Sequence, residues 1–226
     1  MVGAGGVAVI ASILGILVFL VVEVLPLFTA ARVEASRSIP LTGDAPRALL
    51  VDEHRTHAIV LGLDGVARTW RLADGTLVAE RPLLPEAGRL AAVRANATDS
   101  RLLAATDDGR LLLVPVVFAV GFRGDDRFIT PEIGDPVVSR LDPAGSPLRA
   151  FTARASEAIS TVAAQLADGS LVLEQRTVEE NFLTGERHES VERLELASPV
   201  PARELLLDEE QRNLYAIAED GRLLWW

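Results

Sequence analysis

His54 and His57 have a spacing that some metal sites use, because they lie three positions apart and follow Asp52 and Glu53. Imidazole nitrogens and carboxylate oxygens are both common zinc ligands. The third histidine, His188, is remote in the sequence, and no helical pattern places the first two on one face. We therefore interpret all three as surface histidines and expect no metal site.

Three acidic stretches could also carry out chemistry. Gly124-Asp125-Asp126 resembles part of a calcium loop, but it lacks the later ligands and the bidentate glutamate that such loops need. Glu179-Glu180 and Asp208-Glu209-Glu210 could supply paired carboxylates for acid–base catalysis. Both lie at the edges of predicted loops, and acidic loops are expected in a chain with 32 acidic and 22 basic side chains. We predict solvated turns at all three stretches.

No motif for catalysis or cofactor binding is present in the sequence. The absence of cysteine excludes thiol nucleophiles, disulfides and thiolate zinc sites. The chain also lacks the Gly-X-Ser-X-Gly, P-loop and dinucleotide-binding motifs, and no strand precedes its glycine-rich start at 3–6. The sequence predicts that the protein is not an enzyme, with no catalytic, cofactor-binding or metal-binding residues and no cofactor.

The charge pattern excludes nucleic acid as a partner. Every basic side chain is arginine, the formal net charge is -10, and no basic stripe is visible. Proteins that bind nucleic acids need such a stripe to neutralise phosphates.

An apolar segment at the start of the chain predicts one transmembrane helix within residues 1–29. Residues 2–22 contain no charge, and apolar residues continue after Glu23. About 20 such residues cross the hydrocarbon core of a bilayer. The alternative, a signal peptide cleaved near Thr29, would need a shorter apolar region after a basic flank, and both are missing. Glu23 is interpreted as an interfacial residue.

The orientation of this helix stays open on the residues alone. Arg32 and Arg37 follow it and would favour a cytoplasmic C-terminal side, but long domains are translocated largely regardless of such charges. We expect the natural N-terminus to lie upstream of Met1.

After a linker at 30–43, the chain has the pattern of β-hairpins. Strand-like runs at 57–63, 66–72 and 76–80 are separated by Asp64-Gly65 and Asp74-Gly75. Asp-Gly is the pair that favours a type I′ hairpin turn, in which both central residues have positive φ. These runs predict a β-meander.

The hairpin pattern is repeated. A strand, an Asp-Gly turn and an apolar return strand recur with their aspartates at 64, 108, 168 and 220, which are 44, 60 and 52 positions apart. A propeller blade has about 40–50 residues, so the pattern predicts a mainly β, β-propeller-like (WD40-like) domain at 44–226. A β-sandwich remains an alternative. The apolar final residues 223–226 lead us to expect an incomplete domain.

The order of these features resembles a known family. The segment Glu-Val-Leu-Pro-Leu-Phe (23–28), the Asp-Gly hairpins, the stretch at 118–131 and the stretch at 179–186 are together similar to the long-form permease subunit of the bacterial phosphate ABC transporter. That form has a large periplasmic, propeller-like insertion after its first transmembrane helix. The other permease helices follow the insertion and are absent from these residues.

The resemblance implies a component of an inner-membrane import system for inorganic phosphate, with the β domain in the periplasm. Its expected partners are a second permease subunit, ATPase subunits and a periplasmic phosphate-binding protein. The visible part would act as an anchor and an interaction module. Two alternatives are a stand-alone membrane-anchored propeller, acting as a scaffold or envelope sensor, and an exported propeller hydrolase.

Overall fold

The computed structural model describes residues 2–25, 38–84, 90–156, 158–180 and 184–226. In the helix at the start of the chain, side chains are described at positions 6, 7 and 10–25. The chain divides into two compact units, Met1–Ile39 and Pro40–Trp226. The predicted helix end at residue 29 and most of the predicted linker at 30–43 lie outside the described residues.

The first unit contains helix α1 (Val2–Val24), in which Glu23 is the one charged residue. Its described side chains are exposed on every side, and they include Phe19 at 61%. Among the residues described with their side chains, no helix is both long and apolar enough to cross a membrane.

The second unit is built from antiparallel strands, which confirms the prediction of a mainly β domain. Its strands are β1 (Ala48–Val51), β2 (His57–Leu61), β3 (Val66–Arg71), β4 (Thr76–Pro82), β5 (Leu90–Asn96), β6 (Arg101–Thr106), β7 (Arg110–Arg123), β8 (Asp126–Ile133), β9 (Val137–Arg140), β10 (Ala150–Ala155), β11 (Ile159–Gln165), β12 (Leu171–Glu180), β13 (Arg187–Leu196), β14 (Ala202–Leu207), β15 (Leu214–Ala218) and β16 (Leu223–Trp225).

These strands form four sheets in chain order. Sheet 1 has the order β1-β2-β3-β4, sheet 2 has β5-β6-β7-β8 with β9 also paired to β7, sheet 3 has β10-β11-β12-β13, and sheet 4 has β14-β15-β16. Each repeated Asp-Gly pair lies between the second and third strands of its sheet. The hairpin repeat predicted from the sequence is therefore confirmed.

The predicted turn type is wrong. In the first of these turns Gly65 has a φ of 73°, but Asp64 is not among the residues with positive φ, so the turn is not type I′. The aspartate stabilises the turn in another way, because its side chain accepts a hydrogen bond from the backbone N–H of Val66. At Asp74, Asp168 and Asp220 the side chain likewise accepts a hydrogen bond from the backbone N–H two positions later.

The core lies between neighbouring sheets, and strand β6 shows how it forms. Leu102 and Ala104 pack into the core shared with sheet 1, whereas Leu103 and Ala105 pack into the core shared with sheet 3. Successive side chains of a strand point to opposite faces, so both faces of sheet 2 are buried. This explains why β6 is apolar without alternation from Leu102 to Ala105. Sheet 3 is buried in the same way between sheets 2 and 4.

The described sheets form an open series. Each core joins consecutive sheets, and within the described residues no core joins sheet 4 to sheet 1. The outer face of sheet 4 exposes Leu206, Leu223 and Trp225, which are 59%, 61% and 70% exposed.

Sheet 2 carries an extension that the other sheets lack among the described residues. The first part of β7, up to Pro115, pairs with β6 and β9, whereas its second part pairs with β8 from Val116↔Ile133 to Arg123↔Asp126. We call this two-stranded extension, residues 116–133, the arm. At its base, Arg81 of β4 hydrogen-bonds the carbonyl of Ile133 and pairs with Asp135, which ties the arm to sheet 1.

Candidate functional site

The histidines singled out in the sequence do not come together. The Nε2 atom of His54 lies 3.1 Å from Glu53 Oε1, and Nδ1 of His57 lies 2.9 Å from the hydroxyl of Thr56. His188 is on β13 in sheet 3. Within the described ranges, no group of three or more His, Asp and Glu side chains is arranged to hold a metal ion.

Asp52 is a structural residue of the turn between β1 and β2. Its Oδ1 atom accepts hydrogen bonds from the backbone N–H groups of Thr56 and His57, at 2.7 and 2.6 Å, and Oδ2 accepts one from His54. Burial alone would raise the pKa of this carboxyl, but the hydrogen bonds outweigh it and lower the pKa. The carboxylate is therefore engaged by its own turn and is not free for acid–base chemistry.

The turn between β14 and β15 has the same geometry around Asp208. The N–H groups of Arg212 and Asn213, four and five residues later, donate to its Oδ1 atom, as those of Thr56 and His57 do at Asp52. Asp208 is thus a structural residue of its turn, and oxygens of Glu209 and Glu210 lie 3.9 and 3.3 Å from the guanidinium groups of Arg154 and Arg212. Both turns begin with Asp-Glu, so a second repeat was visible in the sequence beside the Asp-Gly pairs.

The other acidic stretches lie at the ends of hairpins. Gly124-Asp125 forms the turn at the tip of the arm, followed by Asp126 at the start of β8. Glu180 ends β12, and its Oε2 atom lies 2.9 Å from Nε of Arg187 on the paired strand.

The arm forms two clefts with the turn that contains Asp52. The first has a volume of about 450 Å³, and Phe118, Val120 and Ile129 of the arm face Glu53 and His54 across it. The second, of about 420 Å³, is lined by the three segments Arg55–His57, Arg71–Ala73 and Arg127–Ile129. We call the second one the arginine cleft, because each segment contributes one guanidinium group.

The arginine cleft has a basic rim and a partly apolar floor. Arg55, Arg71 and Arg127 are exposed, whereas Ile129 is buried. The imidazole of His57 lines the cleft as well, and burial lowers its pKa, so this ring is mainly neutral near pH 7. The charge of the cleft therefore comes from guanidinium groups, which stay protonated at any physiological pH.

The sequence alone did not reveal this site. One available signal was the interval of 60 residues between Asp108 and Asp168, which exceeds the other two intervals of 44 and 52. The arm accounts for the excess, since residues 116–133 lie between the first part of β7, which pairs with β6 and β9, and strand β9 itself. The convergence of the three arginines had no local signal.

Comparisons with known proteins give a likeness of fold. No protein-family model matches the sequence. No curated protein is significantly similar to it. The computationally designed protein Ika4 is similar with a TM-score of 0.45 and 16% identity, over 84% of this chain and 94% of that chain. The β-propeller domain of Swd1 from Myceliophteria thermophila has a TM-score of 0.44 and 16% identity, over 82% of this chain and 53% of its own. Both TM-scores are too low to support an argument about closure, binding or activity.

Proposed function

We propose that this chain is the N-terminal part of a permease subunit of a bacterial ABC import system for inorganic phosphate. In this proposal the first unit anchors the chain in the inner membrane, and the β unit is a periplasmic, propeller-like interaction module. The proposal rests on the similarity of four sequence features to the long-form permease, namely residues 23–28, the Asp-Gly hairpins, 118–131 and 179–186.

The arrangement of the sheets supports the propeller-like part of the proposal. Four small antiparallel sheets follow one another in chain order, each with an Asp-Gly turn between its second and third strands. Consecutive sheets pack face to face around shared cores, as the blades of a propeller do.

The anchor is supported by the composition of the first unit. Residues 2–22 carry no charge, and large apolar side chains from Ile10 to Val24 are exposed in α1. A helix that is apolar all round needs either a protein core or a lipid environment to cover it.

The single observation that favours an interaction module is the arm. It is an insertion in an otherwise regular sheet, and it exposes Val117, Val120, Phe122 and Phe128 at 46% or more. In repeat-built domains, insertions of this kind tend to lie on the binding face. The acidic stretches that could have supplied catalytic pairs are instead engaged in turns and hairpin ends.

The proposal is tested in the host cell by deleting the codons for residues 116–133 and by deleting the whole gene. We expect the gene deletion to abolish high-affinity uptake of radiolabelled phosphate, and a tagged copy to co-purify with ATPase subunits from detergent-solubilised inner membranes. Normal uptake after gene deletion, with no ATPase in the purified complex, would contradict the transporter assignment and favour the stand-alone scaffold.

A further inference from the structure

We propose that the arginine cleft binds an acidic, extended segment of a partner protein, which adds as a strand along the open edge of β8. This inference deepens the role of the β unit as an interaction module and rests on that part of the proposed function. It does not depend on which solute is transported.

The cleft concentrates positive charge in a chain that is acidic overall. Arg55 comes from the turn between β1 and β2, Arg71 from the end of β3, and Arg127 from β8, and the three line one cleft of about 420 Å³. The formal net charge of the chain is -10, so this local excess of cations runs against its composition. An approaching acidic segment would meet favourable charge at this cleft and repulsion over much of the remaining surface.

Two of the three guanidinium groups lack a carboxylate partner. Among the described residues, no Asp or Glu side chain pairs with Arg55 or Arg127, whereas Arg71 Nη1 lies 3.4 Å from Asp74 Oδ2. Asp52 lies in the same turn as Arg55 but is 3% exposed, and its oxygens accept hydrogen bonds from the backbone of that turn. The carboxylates near the cleft therefore do not neutralise all three guanidinium groups, and the cleft keeps an excess of positive charge.

The partner is inferred to be a carboxylate-bearing polypeptide because of the shape and lining of the site. A guanidinium group forms a planar fork that binds a carboxylate through two parallel hydrogen bonds. Leu72, Phe128 and Ile129 line the same cleft, so apolar side chains next to the carboxylates would also be covered. A small inorganic anion would leave that apolar lining unused.

The open edge of β8 provides the backbone contacts. Within the described residues β8 pairs along one edge with β7, and no other strand pairs with it. An unpaired edge offers a row of N–H and C=O groups to an extended peptide, and every second side chain of that peptide then points to the same face. A segment with acidic residues at alternate positions would place several carboxylates towards the arginines.

The glycine in the arm favours a rigid edge. Gly121 pairs with Phe128 across the two strands, and a Cβ atom added at Gly121 would collide with the phenylalanine ring. The ring therefore covers the glycine backbone, a contact that helps to fix the register of two strands. A strand of fixed register presents its edge without first having to become ordered.

The experiment measures binding of a fluorescein-labelled hexapeptide of alternating glutamate and valine to the full chain in detergent micelles, by fluorescence anisotropy. We expect the double variant Arg55→Gln/Arg127→Gln to bind about tenfold or more weakly than the unaltered chain. Added salt should weaken binding to the unaltered chain, because the attraction is between exposed charges. A peptide of alternating lysine and valine should not bind.

The matched control is Arg47→Gln/Arg203→Gln, which removes the same charge from exposed positions outside the cleft. Binding should change by less than about twofold in this variant, and circular dichroism checks that both double variants fold. Equal weakening in both variants, or none in the cleft variant, would overturn the proposal. Displacement of the peptide by low millimolar inorganic phosphate would also overturn it and identify a small-anion site. Loss of peptide binding leaves the uptake and co-purification tests intact, so the two proposals fail separately.

Discussion

The guanidinium group of Arg94 and the carboxylate of Glu204 lie 3.1 Å apart (Nη1 to Oε1), although 110 positions separate them in the chain. Arg94 is on β5, the first strand of sheet 2, and Glu204 is on β14, the first strand of sheet 4. The same guanidinium carbon lies 5.9 Å from the centre of the Phe151 ring, on the first strand of sheet 3. This side chain of sheet 2 therefore contacts sheets 3 and 4, and the first strands of the three sheets lie close together there.

A double-mutant cycle on Arg94→Ala and Glu204→Ala should give a small coupling free energy of about 0.2–1 kcal/mol. The reason is exposure, since the two side chains are 36% and 52% accessible and solvent screens the pair. Urea unfolding followed by tryptophan fluorescence measures it, and the coupling should shrink at high salt. A coupling of several kcal/mol would show that the pair is far less screened than its exposure indicates.

Replacing Gln165 with leucine should destabilise the β unit by about 2–4 kcal/mol. Gln165 is fully buried, its Nε2 atom donates to the carbonyls of Gly169 and Val200, and its Oε1 atom accepts from the N–H of Ala202. Leucine removes the partner of all three backbone groups, of which the N–H of Ala202 is buried. Denaturant unfolding measures the loss.

The control is Gln175→Leu, because this partly buried glutamine makes one side-chain bond, to Thr161. That change should cost less than about 1.5 kcal/mol. Similar costs for the two substitutions would contradict the role of Gln165 as a link between sheets 3 and 4.

Much of the fold could be predicted because its signals are local. Asp64-Gly65 and its repeats at 108, 168 and 220 mark hairpins whose two strands are adjacent in sequence, and the structure places every one of these pairs at the predicted turn. The turn type could not be predicted in the same way. The turn needs positive φ at the glycine but not at the aspartate, whose side chain accepts a backbone hydrogen bond instead. Asp-Gly therefore does not require type I′.

The candidate site could not be predicted because its parts are far apart in the chain. Arg55, Arg71 and Arg127 belong to turns and strands of two different sheets, and each on its own is an ordinary exposed arginine. The bonds that Gln165 makes to Val200 and Ala202 are equally invisible in the sequence, since these partners lie 35 and 37 positions away. Sequence periodicity reports which face is buried, but it does not report which distant residues meet there.

Acidification should destabilise the β unit as the pH falls below about 4–5. Eight turn aspartates have a lowered pKa, chiefly because turn N–H groups and neighbouring side chains hydrogen-bond their carboxylates. They are Asp52, Asp64, Asp74, Asp108, Asp142, Asp168, Asp208 and Asp220. The unfolded chain takes up protons first, so the stabilisation is present above the ordinary aspartate pKa and is lost as the pH falls through the lowered values.

Urea unfolding at pH 7, 5 and 3.5 measures this dependence. Asp52→Asn, which keeps a hydrogen-bond acceptor and removes the titrating group, should make the dependence on pH shallower. A chain that is more stable at pH 3.5 than at pH 7 would contradict the expected loss of stability in acid.

Ser100→Gly should stabilise the β unit by about 0.5 kcal/mol, and Ser100→Val should destabilise it by about 1–2 kcal/mol. Ser100 lies in the turn between β5 and β6 with a φ of 48°, a region in which a Cβ atom is strained. Glycine removes the strain at some cost in chain entropy, whereas a β-branched side chain increases it. Thermal unfolding distinguishes the two variants, and a valine variant as stable as the glycine one would show that the turn relaxes.

Replacing Leu223 and Trp225 together with glutamine and serine should reduce self-association of the protein without lowering its unfolding midpoint. The two side chains are 61% and 70% exposed on the outer face of sheet 4, beside Leu206 and Ile217, and this face borders an apolar cleft of about 480 Å³. They lie on β16, which has β15 as its one partner strand among the described residues. An exposed apolar edge strand is a site at which chains associate. Light scattering at rising protein concentration should therefore be lower for the variant than for the unaltered chain.

Leu205→Gln is the contrasting change, because Leu205 is 1% exposed in the core between sheets 3 and 4. Burying an amide there without partners should unfold the sheet. If the surface variant scattered as much as the unaltered chain, association would have to arise elsewhere, and the exposed helix α1 would be the next segment to alter.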